Sequence, residues 1–371
     1  MVDNSPLIIP RRTLLKGGAA LGGAMLLSAC GDSAPKSAGK SITLKDQRGT
    51  VLTFDGPVKR IVTLPMPAAS IMIAVDRSAA RLAGVHDASW AAANQSILGT
   101  MFPRVLKVPH DIGTQEFAPN VEGILALDPD VVVQWANQGD EIIQPLENAG
   151  LPVLGVNYGK LEDVGSWFRM FSTVLGRPER GRAMATRLDS DRAAVAAVAA
   201  KRTGRAPRVL YFNRFSESLT VQGAGTFNED YVRLIGAENV SSEVKGLVEV
   251  DLEQVLDWDP DVIVLGNFDE AMPDDVYGDR RWRDVAAVRA RRVYRAPLGG
   301  YRWDPPSHES PLMWTWLAQI AFPDGTDGGL RDKIVADYRY FYDHTPTQSE
   351  IDTMLWTEAN GASADYDQFS A

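Results

Sequence analysis

One cysteine and four histidines stand in a chain of 371 residues. A lone cysteine, Cys30, cannot close an internal disulfide, and histidines this few form no recognised metal-ligand spacing. Also missing are a G-x-S-x-G elbow, an H-E-x-x-H pair and a glycine-rich phosphate loop. Their absence leaves an exported α/β hydrolase or metalloenzyme only as a remote alternative and points to a chain that is not an enzyme. There is no surplus of basic residues: 38 Lys and Arg face 48 Asp and Glu, a net charge of -10. Phosphate backbones need the opposite sign, so nucleic acid is not an expected partner. Beyond the first thirty residues no apolar run approaches the ~20 residues that span a bilayer.

What is present begins with Arg11 and Arg12, set between Pro10 and Lys16 and followed by a Gly- and Ala-rich apolar stretch at residues 17–29. A paired arginine before a short apolar segment is a bacterial export signal of the twin-arginine type. Leu27-Ser28-Ala29-Cys30 resembles a lipobox, in which the cysteine is acylated and becomes the first residue of the exported chain; the alternative is a buried thiol in a signal that is cut further on. Residues 1–30 are therefore expected to be signal, and 31–40 a polar Gly/Ser/Pro/Lys tether. The expected location is the cell envelope, with a lipid anchor holding a monomer to the outer face of a membrane.

The remainder has the 45% hydrophobic and 23% charged composition of a globular protein, and its length favours two domains over one. An internal repeat supports two. Residues 121–133 read V-E-G-I-L-A-L-D-P-D-V-V-V, and residues 252–264 read L-E-Q-V-L-D-W-D-P-D-V-I-V. Each copy predicts a short helix, a stop at Asp-Pro-Asp because proline cannot continue the helix, and a buried strand of β-branched residues. Further strands are expected at 60–64, 82–85 and 152–156, then at 208–212 and 292–295, each followed by a loop and a helical pattern. Between the halves, residues 177–201 contain no internal breaker apart from Pro178, which a first turn accepts, and place Met184, Leu188, Asp191, Val195 and Val198 on one face. About 24 residues at ~1.5 Å make a helix of roughly 36 Å, long enough to join two lobes. The expected fold is α/β, with two Rossmann-like lobes of mainly parallel sheets joined by one long connecting helix. The expected boundaries are 41–176 for the first lobe, 177–201 for the connector and 202–344 for the second lobe. Residues 345–371 are expected to give a short amphipathic helix near 351–356 and a disordered, acidic end.

The export signal, the two lobes, the connector and the repeated E-x-[IV]-L-x-x-D-P-D-V-[VI]-V unit together resemble the class III periplasmic binding proteins. The likeness covers residues 41–344, including G-A-E-N-V at 236–240, which looks like a family turn into a second-lobe strand. The resemblance implies a solute-binding lipoprotein that captures a ferric siderophore or similar metal chelate and hands it to the permease of an ABC importer. Haem, cobalamin, a nickel chelate or a molybdate-type oxyanion remain open as solutes. It also implies no cofactor, limited lobe closure, and one acidic residue per lobe to dock on permease arginines. The matching positions are Glu122 and Glu253, which are equally readable as solvent-facing first-turn acids.

Ligands of open α/β lobes sit beyond the carboxyl ends of strands. Among such loops the richest is residues 297–310, where Gly299 and Gly300 precede Tyr301, Arg302 and Trp303. These three would give an anionic, planar chelate an aromatic and cationic surface, or else Trp303 closes a core and Arg302 pairs with an acid. Arg214, Trp135, Trp90 and Tyr158 are further candidates. Ser307 reads as a helix N-cap, with Glu309 an ordinary first-turn acid. A sharper alternative makes Asp304, His308 and Glu309 direct metal ligands. His86 and His110 read as loop histidines.

Overall fold

The computed structural model describes residues 41–325 and 329–371; the export signal, the tether and Cys30 lie outside the described residues. A hairpin not anticipated from the sequence comes first, β1 (Ile42–Lys45) against β2 (Val51–Phe54). Its turn is fixed by the buried carboxylate of Asp46, which accepts from the N–H groups of Arg48, Thr50 and Gly155.

The first lobe is built on β3 (Ile61–Thr63), β4 (Leu82–Val85), β5 (Val131–Trp135) and β6 (Val153–Val156), all parallel, in the order β4-β3-β5-β6. Val131, Val132 and Val133 are wholly buried, as a parallel strand covered on both faces requires. The second lobe holds β7 (Arg208–Arg214), β8 (Thr220–Gln222), β9 (Glu238–Asn239), β10 (Leu247–Glu249), β11 (Val262–Leu265) and β12 (Val293–Arg295). They run β10-β8-β7-β11-β12, with β9 also beside β7. β8 and β10 are antiparallel additions to a parallel centre.

The two repeat copies fold alike. Helices Val121–Ala126 and Leu252–Trp258 are capped by the side chains of Asn120 and Asp251. Each gives way to an aspartate in the left-handed region, Asp128 (φ 45) and Asp259 (φ 38), a conformation that Asp tolerates better than most residues. The second aspartate of each motif then locks on to the neighbouring strand. Asp130 N–H donates to Arg60 O while its carboxylate accepts from Lys59 and Arg60 N–H. Asp261 N–H donates to Arg208 O while its carboxylate accepts from Arg208 N–H.

The connecting helix spans Pro178–Ala199. Gly181, Met184, Ala185 and Leu188 form its buried face, whereas Val198, expected on that face, is 48% exposed. The helix keeps contact with the core through Val195 and, of that face, turns only Val198 outward in its last turns. Gly181 is required by close approach: a Cβ there would stand 1.8 Å from Ser172 Oγ on the preceding helix, Leu161–Val174. Arg180 straps the connector's start, donating to Ala74 O of helix Ala68–Asp76 and to Tyr340 O and Phe341 O of helix Leu330–Tyr342. Further along, Arg187 pairs with Asp337, and Lys333 with Asp191 and Asp337.

The end of the chain corrects its expectation. Beyond helix Gln348–Met354 it is ordered and packed, with Asn360, Tyr366 and Phe369 buried. Tyr366 accepts from Trp316 Nε1, donates to Leu355 O and stacks on Tyr294. Asn360 accepts from Arg295 N–H and returns a bond to Arg295 O. Its side-chain amide thus supplies both bonds that another strand would give Arg295 at the outer edge of β12, while Tyr277 OH and Ser363 Oγ serve Val293 on the same edge.

Candidate functional site

Loops from the two lobes meet beyond the ends of β6 and β11. Tyr158 stands edge-on to Phe227 of the second lobe at 5.0 Å. Arg302, also from the second lobe, donates from Nη1 to Ala88 O of the first at 2.9 Å and from Nε to Asn267 O at 3.0 Å. Its guanidinium lies 5.1 Å from the Phe268 ring centroid. Arg214 holds that segment by donating to Phe268 O at 3.0 Å. A cavity of about 500 Å³ opens here, lined by Gln95 of the first lobe and by Asn267, Phe268, Arg302 and Trp356, together with the acids Asp269 and Glu270 and with Arg295, which pairs with Asp269 at 3.9 Å.

Arg302 is 7% exposed, and among the described residues no carboxylate comes within ion-pairing distance of it. Its hydrogen-bond partners are neutral carbonyls. The nearby carboxyl of Asp304 is fully buried and engaged by Asn267 N–H and Nδ2; burial raises its pKa, with the Asn267 bonds and the Arg302 charge opposing. A buried guanidinium with no direct ion pair is only partly compensated by Asp304 nearby, and an anion in contact with it would complete that compensation.

The loop around Arg302 is held by Glu309, whose carboxylate accepts from Gly300 N–H, Trp303 Nε1, Tyr338 OH and Tyr342 OH. Burial pushes Glu309 up to about 7 against these bonds. His308 faces Tyr342 OH at 2.5 Å and is driven down to about 3 by burial, with the Arg180 charge adding to it.

Several expectations are corrected by this geometry. Tyr301 and Trp303 are 1% and 0% exposed, so they make no surface for a chelate; the indole is drawn inward by Glu309. Trp135 is likewise interior, ringed by Phe117, Tyr158 and Trp167. Helix Ser310–Ala321 begins later than Ser307, whose hydroxyl caps the N–H of Glu309 instead. Glu309 is therefore the centre of a buried network rather than a first-turn acid. Asp304 is engaged by Asn267, whereas His308 and Glu309 share Tyr342 OH, and among the described residues no group of three His, Cys, Asp or Glu converges to hold a metal ion. Trp90 donates to Leu106 O and stacks on His110, away from the cavity. His86 caps its own helix and bonds Thr114 O.

Of the candidate ligand residues, Arg302 lines the cavity and Arg214 supports its Phe268 wall, while Tyr158 is 42% exposed against Phe227 and is not among the lining residues. Trp356 was missed. The only signal for it was a lone tryptophan in a polar tail. On the outer surface, Glu122 and Glu253 occupy equivalent first turns, exposed and, among the described residues, without an ion-pair or hydrogen-bond partner.

Comparison with known proteins adds the following. A family profile described as periplasmic binding protein matches residues 113–298. A solved periplasmic solute binding protein from Veillonella parvula is 34% identical, with a TM-score of 0.80, over 87% of this chain and 99% of that one. The molybdate-binding protein MolA of Haemophilus influenzae is 25% identical over 80% of this chain and 89% of its own. The vitamin B12-binding protein of Vibrio parahaemolyticus is 25% identical over 64% and 81%.

Proposed function

The chain belongs to the periplasmic binding protein family, and from that premise we propose that it captures an anionic metal-containing solute between its lobes for an ABC importer. The observation that carries this is Arg302, buried at the cavity between the lobes, hydrogen-bonded only to neutral carbonyls and in no ion pair among the described residues. An anionic solute supplies the missing charge and is held without any metal cage from the protein.

A ferric siderophore is the form of this solute that the sequence suggested, bound through its organic shell. A second reading, a molybdate-type oxyanion, is favoured by the burial of Tyr301 and Trp303, which removes two of the aromatic faces a broad chelate would use; the similarity to MolA agrees with it. In either case Glu122 and Glu253 would dock on arginines of the permease, since both are exposed and uncommitted. The twin-arginine signal and acylation of Cys30 complete the proposal by exporting the protein and anchoring it.

The test is calorimetric titration of the exported protein with molybdate, ferric catecholate chelates, haem and cobalamin. Saturable binding of an anionic member, weakened at least about tenfold by Arg302→Ala, is the expected result. Binding that is indifferent to Arg302→Ala would remove the basis of the proposal.

A further inference from the structure

The end of the chain contributes a wall to a second cavity that the anion site does not use. This cavity, of about 330 Å³, lies between Asn94, Gln95 and Thr100 of the first lobe and Thr353, Met354 and Trp356 of the terminal segment. It shares Gln95, Leu298 and Trp356 with the Arg302 cavity, so the two adjoin through the indole of Trp356. We propose that this gallery is a subsite for the organic arm of an extended metal chelate, with Trp356 as the residue that selects for it.

The chemistry of the walls supports an organic occupant. They present amides, hydroxyls, a thioether and an indole, suited to a neutral chain with hydrogen-bonding groups and apolar faces. The one carboxylate, Glu350, is already engaged, accepting from Thr347 N–H and facing His344. A bare ion would find no counter-charge here. The indole is also placed for contact. Trp356 adopts φ 53, a region in which a bulky side chain is held only by surrounding structure. It stacks near the Arg295 guanidinium at 5.8 Å, and its Nε1 has no hydrogen-bond partner. The ring is thus positioned by packing and by Arg295, with no hydrogen bond of its own. The terminal segment is joined to the anion site through Leu298 N–H, which donates to Met354 O at 2.9 Å at the start of the loop bearing Arg302.

This inference rests on the anionic-solute reading, and the experiment separates the two. The probes are sodium molybdate, which has no organic arm, and the ferric complex of linear tris(2,3-dihydroxybenzoyl-serine), which does. The proteins are wild type, Arg302→Ala, Trp356→Ala, Trp356→Phe and Thr353→Trp, the last filling the gallery from an exposed position without touching the core. The expected result is that Trp356→Ala and Thr353→Trp each weaken the chelate by about tenfold or more and leave molybdate within about twofold. Trp356→Phe recovers most of the loss, and Arg302→Ala weakens both probes. If wild type binds only the chelate, the same loss in both variants at unchanged melting temperature supports the gallery. Chelate binding unaffected by either variant overturns the gallery alone, as does wild type binding only molybdate. Equal weakening of both probes by Trp356→Ala overturns it as well. Binding of neither probe by wild type overturns both proposals.

Discussion

Four donors converge on the Glu309 carboxyl, yet burial outweighs them and lifts its pKa from the ordinary 4.5 to about 7. Folding therefore favours the protonated form. The stabilisation from this group is complete below pH 4.5 and is lost as pH rises through about 7. Asp304 and Asp337, both raised chiefly by burial, act in the same direction. The melting temperature is expected to fall between pH 4.5 and 7.5, and Glu309→Gln, which does not titrate, to flatten that slope. An identical slope in the variant would sink the assignment. This residue also marks a limit of reading from sequence. Ser307-x-Glu309 before an apolar run looks like an ordinary helix start, and nothing in the local pattern records that Tyr338 and Tyr342, from a later helix, close over the carboxylate. Arg302 could be singled out from its loop, but its partners, the carbonyls of Ala88 and Asn267, are products of the tertiary fold.

The Asp-Pro-Asp elements were legible because one local device, a proline stop followed by an aspartate that ties strand to strand, appears twice with the same chemistry. Asp130→Ala strands two main-chain donors of the first lobe, and Asp261→Ala one of the second together with the Arg205 contact. Each change is expected to cost about 1–3 kcal/mol in urea unfolding, and the double variant to show their sum because the sites share no partner. A double variant no worse than either single one would contradict this independence. Among the strands missed in the sequence, β8 and β10 are three residues long, too short for alternation to declare itself, and β1 and β2 only four. The ordered terminal segment was missed for another reason: its edge pairing is made by the side chains of Asn360 and Ser363, and its anchors Tyr366 and Phe369 are spaced among acids and small residues.

Across the whole molecule, Arg180 joins the connector to helices of both halves through three carbonyls. Arg180→Ala is expected to cost about 1–3 kcal/mol and to speed hydrogen exchange at the start of helix Pro178–Ala199. Small-angle scattering should also show a larger change between free and loaded protein than in wild type. Unchanged exchange at that helix would show that the ion pairs of Arg187 and Lys333 suffice to stiffen it. The edge of β12 has a different consequence, one that arises during synthesis. Ser363, whose hydroxyl donates to Val293 O on that edge, follows that strand residue by 70 positions. At ribosomal elongation rates of ~5–20 residues per second, the strand is made roughly 4–14 s before its cover. For that interval a nascent second lobe has an open, hydrogen-bond-hungry margin, so its final assembly waits on late translation and gives a holding chaperone a defined time in which to act.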